Sequence, residues 1–242
     1  MQLSKRYFLS VAAAIVGAAV LMNVGGAPTD EARPYQVLTA PAPAPGPIEV
    51  VEFFWYSCPH CYEFEPALRE WVARHRNDIV FRRVPVGMHP RQLPQQRMFY
   101  AMEALDMGEA ASRDMFRRIH ERNEPLDTEA ALAGFAAEAG ISSQRFRAAW
   151  GAPDVQRKVD AATRLHQAMH VASVPTVVIG GRYVTSPAML SASMPMWGQT
   201  VAGSHTATVQ LMDTLLERAR QDSTAQRIEI PGAGHERTAR VD

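Results

Sequence analysis

The chain's two cysteines stand in the order Cys58-Pro59-His60-Cys61, directly after the apolar run Phe53-Phe54-Trp55-Tyr56. If Cys58 opens a helix, Pro59 falls in the first turn, where its missing N–H removes no hydrogen bond. Cys61 then lies one turn on, on the same face and within the span a disulfide tolerates. Free amides of the first turn point at the Cys58 sulfur, and the positive end of the helix favours a thiolate there. His60 adds positive charge beside it. Such surroundings make a cysteine acidic and reactive instead of a small buried hydrophobe. A c-type haem site would need histidine after the second cysteine, where Tyr62 stands. A zinc site would need two more ligands, and no second cysteine pair exists. A structural disulfide remains open, although so short a loop constrains the unfolded chain little.

The strand before the pair carries one charge. Glu52 interrupts Ile48 to Tyr56, a run too continuously apolar for a half-exposed strand and expected to be buried on both faces. A buried carboxylate costs several kcal/mol unless paired or protonated. Glu52 therefore reads either as an ion-paired structural group or as a proton acceptor.

Val50-Val51-Glu52-Phe53-Phe54, followed by Cys58-Pro59-His60-Cys61-Tyr62 and Glu65, resembles the DsbA-type periplasmic dithiol oxidases of the thioredoxin superfamily. A second block, Val174-Pro175-Thr176 with Gly180-Gly181-Arg182-Tyr183, resembles that family's cis-proline loop and following hairpin. Gly140-Ile141 through Ala148-Ala149-Trp150 resembles part of its helical insert, so the likeness covers roughly residues 34–221. The resemblance implies a thioredoxin-like α/β fold, a central mixed sheet flanked by helices with an inserted all-helical subdomain. It implies that Cys58 exchanges disulfides with substrate and that Cys61 resolves. Pro175 should follow a cis bond and lie against the pair, leaving the backbone of Val174 to meet substrate. Glu52 and Glu65 would handle protons or tune charge, with Glu52 acting near Cys61. A quinone-linked membrane oxidase of the DsbB type is the implied reoxidising partner. A reductase or isomerase of the same superfamily, or a non-catalytic chaperone with a structural disulfide, are the alternatives.

With 47% hydrophobic residues and 25 basic against 25 acidic, the chain supports one sizeable core and offers no polyanion-binding imbalance. Nothing suggests nucleic acid, no bound cofactor or metal is expected, and a monomer is the expected state. Lys5 and Arg6 followed by an apolar stretch from Tyr7 to about Val24 read as an export signal, cleaved near Ala27 or retained as an anchor. Export with a reactive cysteine pair points to the periplasm, where disulfides persist.

The remaining elements must position the pair. After the signal or anchor (1–27), residues 28–47 should hold an unstructured start, a short edge strand at Tyr35-Gln36-Val37-Leu38, and an extended connector in which Pro41, Pro43, Pro45 and Pro47 alternate with small residues. Residues 48–91 form the first part of the thioredoxin-like domain: the strand, a helix from Cys58 with Pro66 expected to kink it, and a parallel strand over Ile79 to Val86. Residues 92–170 read as the helical insert, with Gly108 and Gly140 as helix stops and Thr128 and Ser142 or Ser143 as N-caps. Met98, Met102 and Met107 read as core filler there, and the last helix runs from Asp154 to about His170. Residues 171–221 complete the domain with a strand at Thr176 to Ile179, a Gly180-Gly181 turn, its return at Tyr183-Val184, and a closing helix from His205 to about Arg220. A disordered tail is expected over 222–242. His89, His120, His166 and His170 show no metal-ligand spacing and read as surface or satisfied core residues. Trp55, Tyr56 and Val174 are candidates for an apolar rim around the pair.

Overall fold

A computed structural model describes residues 33–40, 43, 46–194 and 200–229. The expected signal or anchor, most of the proline connector and residues 230–242 lie outside them. Five strands form one mixed sheet: β1 (Tyr35–Val37), β2 (Ile48–Phe54), β3 (Ile79–Pro85), β4 (Thr176–Ile179) and β5 (Tyr183–Thr185), in the order β1-β5-β4-β2-β3. Among the described strands only β2 and β3 pair in parallel, joined by helix α1 (Pro59–Arg74) in a β-α-β unit. β4 lies antiparallel to β2 with Phe53 opposite Thr176. That register brings the chain entering β4 to the same sheet end at which β2 hands over to α1.

The period of two along β2 decides what each face meets. Ile48 and Val50 pack against Phe64, Leu68 and Trp71 of α1 and against Met212, Leu215 and Leu216 of the closing helix α8 (Val201–Glu229). Val51 and Phe53 face the other way, onto Val155, Val159 and Ala162 of α6 (Pro153–Ala168). Trp71, fully buried, donates its indole N–H to Asp213 at 2.7 Å and so ties α1 to α8. Burying such side chains contributes roughly 1.5–3 kcal/mol each.

Between β3 and β4 the chain is helical: α2 (Leu93–Ala104), α3 (Gly108–Glu121), α4 (Glu129–Glu138), α5 (Ser143–Trp150) and α6. Thr128 and Ser142 cap α4 and α5, their hydroxyls accepting from Ala131 and Arg145 amides. Met98, Met102, Met115, Phe116, Leu132, Phe135 and Phe146 make a second core that includes Cys58 and Cys61 themselves. The reactive pair therefore sits on the seam between the sheet and the helices interposed in it.

Three local readings are corrected, and one helix is added. The strand β2 stops at Phe54 instead of Tyr56, because Trp55–Cys58 is a turn closed by the Cys58 amide on the Trp55 carbonyl at 3.0 Å. Helix α1 continues through Pro66, which is exposed and offers no N–H to the Tyr62 carbonyl. Gly108 opens α3 instead of stopping a helix: α2 has already ended at Ala104, and Asp106 takes the left-handed turn at φ 54°. Helix α7 (Pro187–Ser193), capped by Ser186, was not anticipated. Helix α8 is longer than His205–Arg220 at both ends. Thr200 accepts from the Gly203 amide at its start, and beyond Arg220 Asp222 accepts from the Tyr183 hydroxyl at 2.8 Å, so the start of the expected tail is helical.

The β4–β5 turn uses left-handed backbone at both Gly180 (φ 60°) and Gly181 (φ 66°), which side chains resist. A Cβ at Gly180 would also meet Pro43 Cγ at 2.7 Å and Ala219 Cβ at 3.2 Å. Gly180→Ala is therefore expected to cost about 1–3 kcal/mol in urea unfolding, and an unchanged midpoint would refute this account of the turn.

Candidate active site

Cys58 occupies the N-cap of α1 with extended backbone (φ −83°, ψ 115°), and Pro59 follows in the first turn. No side chain caps this helix end, so its first amides have the Cys58 sulfur as their neighbour. Both cysteines are present as free thiols, Cys58 7% exposed and Cys61 fully buried. A hydrogen bond from the Cys61 thiol stabilises the Cys58 thiolate most. Working against burial, and joined by the amides of Cys61 and His60 and by His60 charge, it brings Cys58 from an ordinary 9.0 down to about 6. Cys61 goes the other way. Burial, then the neighbouring Cys58 and the charge of Glu52, push its thiol well up. One sulfur is biased toward the anion, and the other toward the thiol.

The bond between Val174 and Pro175 is cis, and Pro175 is buried. The Cys58 thiol donates to the Val174 carbonyl at 3.5 Å. Pairing of β4 starts at Thr176, so the Val174 backbone lies past the end of the ladder, beside the sulfur. Of the residues considered for an apolar rim, Trp55 and Val174 are half-buried. Tyr56 is not available: it is fully buried, with its hydroxyl 2.8 Å from Ser112 Oγ.

Beneath Cys61 lies a charge cluster that only half appears in the sequence reading. Glu52, fully buried, accepts from Arg83 Nε at 2.7 Å through Oε2. Glu65, one turn beyond Cys61, places Oε2 3.7 Å from Arg83 Nη2. The Arg83 guanidinium stacks over Phe54, 4.4 Å from the ring centroid, with Phe116 at 5.4 Å. Burial opposes the Arg83 charge, but Glu52 and Glu65 outweigh it and hold the guanidinium charged. Burial raises the Glu65 carboxyl, Arg83 offsets part of this, and Glu52 adds to the rise. Glu52 Oε1 has no hydrogen-bond partner among the described residues.

Sequence reasoning missed Arg83, although the parallel register sets it directly beside Glu52. A buried glutamate in one strand and Arg82-Arg83 in the next was the available signal. It also missed Gln95 and gave His120 no role. His120 Nε2 lies 2.7 Å from the Tyr56 carbonyl, and its ring stacks on Tyr62 at 4.7 Å. His60 stands on the exposed side of the pair. Among the described residues no group of histidine, cysteine or carboxylate side chains could hold a metal ion, and no helix there is long and apolar enough to cross a membrane.

Residues 49–196 match the DSBA-like thioredoxin domain family. The thiol:disulfide interchange protein DsbA of Burkholderia cepacia is 36% identical over 204 residues, covering 83% of this chain and 91% of that protein. The protein of the same name from Bordetella pertussis is 31% identical over 216 residues, 87% and 96% of the two chains. Among solved structures, Pseudomonas aeruginosa DsbA superposes with a TM-score of 0.68 at 30% identity, over 79% of this chain and 95% of its own. The DsbA oxidoreductase of Xylella fastidiosa gives 0.65 at 30% identity, over 77% and 95%.

Because its folded pKa is raised, Glu65 contributes stability that is fully present below an ordinary 4.5 and lost as the pH rises through the raised value. Glu65→Gln removes that loss. The variant's stability relative to the parent chain is therefore expected to improve between pH 4 and pH 7 in urea titrations. A difference that stays constant or moves against the variant would show that Arg83 fully offsets the burial of Glu65.

Proposed function

Since the chain belongs to the DSBA-like thioredoxin domain family and is a thiol:disulfide oxidoreductase, we propose that it donates a Cys58–Cys61 disulfide to reduced, exported proteins during their oxidative folding. It does so in the periplasm, as a monomer, and a quinone-linked membrane oxidase of the DsbB type restores the disulfide. The apolar run from Tyr7 to Val24 behind Lys5 and Arg6 supports export. The observation that carries the reading is the position of Cys58 at the uncapped start of α1, its thiol held at about 6.

A substrate thiolate attacks Cys58 Sγ, the Cys58–Cys61 bond breaks, and Cys61 leaves. Cys61 is buried where an anion is costly, so it takes a proton; Glu52, whose charge raises Cys61 and whose Oε1 is unpartnered among the described residues, is the group placed to relay it. A second substrate thiolate then attacks the substrate sulfur of the mixed disulfide, and Cys58 departs as a thiolate. Two electrons pass to the protein and the substrate gains its disulfide. Departure is fast because a leaving thiol of low pKa leaves readily. Direction follows from the same stabilisation. At pH 7 a thiol titrating near 6 rather than 9 favours the dithiol form by about 1.4 kcal/mol, about 30 mV for a two-electron couple. The disulfide is correspondingly an oxidant.

Substrate meets this sulfur beside the Val174 backbone, where pairing through main-chain groups is indifferent to sequence. The half-buried Trp55 and Val174 side chains give an unfolded segment apolar contact. His60 adds charge at Cys58 without being needed to transfer a proton.

Iodoacetamide alkylation of Cys58 in the reduced protein, followed by mass spectrometry, is expected to show a midpoint near pH 6. Cys58→Ser should abolish oxidation of reduced substrate, Cys61→Ala should accumulate mixed disulfides through Cys58, and His60→Ser should raise the midpoint while oxidation continues. Adducts forming on Cys61 and none on Cys58 in the parent protein would overturn these roles.

A further inference from the structure

The turn that hands the chain from β2 to α1 is held largely from outside itself. Its internal bond is the Cys58 amide on the Trp55 carbonyl. The peptide between, at Tyr56 and Ser57, is gripped by the interposed helices. The Tyr56 carbonyl accepts from His120 Nε2 of α3 at 2.7 Å; a carbonyl only accepts, so Nε2 carries the proton. The Ser57 amide donates to Gln95 Oε1 of α2 at 3.2 Å, and Gln95 Nε2 donates back to Ser57 Oγ at 2.7 Å. The same amide nitrogen lies 3.2 Å from the Pro125 carbonyl and 3.1 Å from that of Leu126. Gln95 thus joins the turn, α2 and the α3–α4 connection at one point.

Gln95 is fully buried on a helix face that otherwise contributes Met98 and Met102 to the core. An apolar side chain could pack there without the cost of burying an amide. Core packing therefore does not account for a glutamine; its two-point hold on Ser57 and its bonds to the Pro125 and Leu126 carbonyls do. The held residue is the neighbour of Cys58, and a thiolate at an N-cap depends on distance and angle to the amides of the first turn. With no side-chain cap on α1, the backbone at Ser57 and Cys58 sets how the sulfur meets those amides, alongside its contacts with Val174 and Cys61.

On the reading of Cys58 given above, we propose that Gln95 and His120 are positioning residues for thiol–disulfide exchange: they clamp the Tyr56–Ser57 peptide to the interposed helices and so aim Cys58 Sγ at the start of α1. Neither touches the reacting sulfurs. Loosening the clamp should weaken the amide–thiolate geometry in the dithiol form, where the sulfur bears charge, more than in the disulfide form, where it does not.

The test uses the full chain with Gln95→Met, which keeps shape and loses the bonds, and His120→Phe, which keeps a ring against Tyr62 and loses the bond to Tyr56. Gln96→Met is the control: Gln96 is equally buried on α2 but donates to the Pro85 carbonyl of β3 instead of to the turn. The readouts are the pH midpoint of Cys58 alkylation and the equilibrium of the pair against glutathione. Gln95→Met and His120→Phe are each expected to raise the midpoint by about 0.5–1 unit, a roughly three- to tenfold loss of thiol acidity, and to shift the glutathione equilibrium toward the disulfide. Gln96→Met should leave both readouts unmoved even where it lowers the unfolding midpoint. Parent-like values in the folded clamp variants, or an equal shift in Gln96→Met, would overturn the proposal. Should Gln95→Met not fold, the more exposed His120→Phe decides. A parent midpoint near 9 would instead sink the thiolate reading on which the clamp rests.

Discussion

Helix α1 starts at a residue that cannot cap it in the usual way. A serine or aspartate at this N-cap would occupy the first amides with oxygen, whereas Cys58 offers them a sulfur whose interaction is strong only when charged. The helix end is therefore better satisfied in one redox state than in the other. Cys61, one turn inside and fully buried, gains nothing as an anion and adds its S–H to the amides as a further donor to Cys58. The asymmetry between two chemically identical side chains comes from three residues of helical rise.

That start must be buried enough for its electrostatics to count and open enough for a substrate sulfur to arrive. The sheet supplies one wall: the β2–β4 register carries Val174 and Pro175 to the sulfur, and the ladder ends before Val174. Helices α2 to α5 supply the other, because Met98, Met115, Phe116, Leu126 and their neighbours form one core with Cys58 and Cys61. A bare β-α-β unit would leave the turn before Cys58 facing water. Here its polar groups are matched by Gln95, Ser112 and His120 instead.

What was legible in the sequence follows the range of the cause. The cysteine spacing, the apolar strand before it, the glycine turn at Gly180-Gly181 and the caps at Thr128 and Ser142 are written within a few residues, and the structure has them there. The family likeness added the distant meeting of Val174-Pro175 with Cys58. Partners fixed by register or tertiary packing were harder to see. Arg83 lies 31 residues from Glu52 and Gln95 38 from Ser57, and neither has a local reason to be noticed. His120 was judged by metal-ligand spacing, which bears on chelation and not on a single bond to a carbonyl. The true length of α8 was obscured because Asp222 and Ser223 look like tail residues until Tyr183 and the turn before it are laid alongside.

The buried charges under Cys61 are a poor device for stability. An apolar set of similar volume would spare the desolvation of Glu52 and Arg83, and such replacements are often neutral or better. In the exchange proposed above, their place is to govern protons. Arg83 satisfies one Glu52 oxygen and lies over the Phe54 ring with Phe116 close by, which keeps the guanidinium in place without using the other oxygen. Glu52 is then near enough to raise Cys61, while its charge is not among the main influences on Cys58. A single carboxylate thus widens the separation between the two thiols that α1 begins, and Arg83 is the condition on which that carboxylate can stay buried.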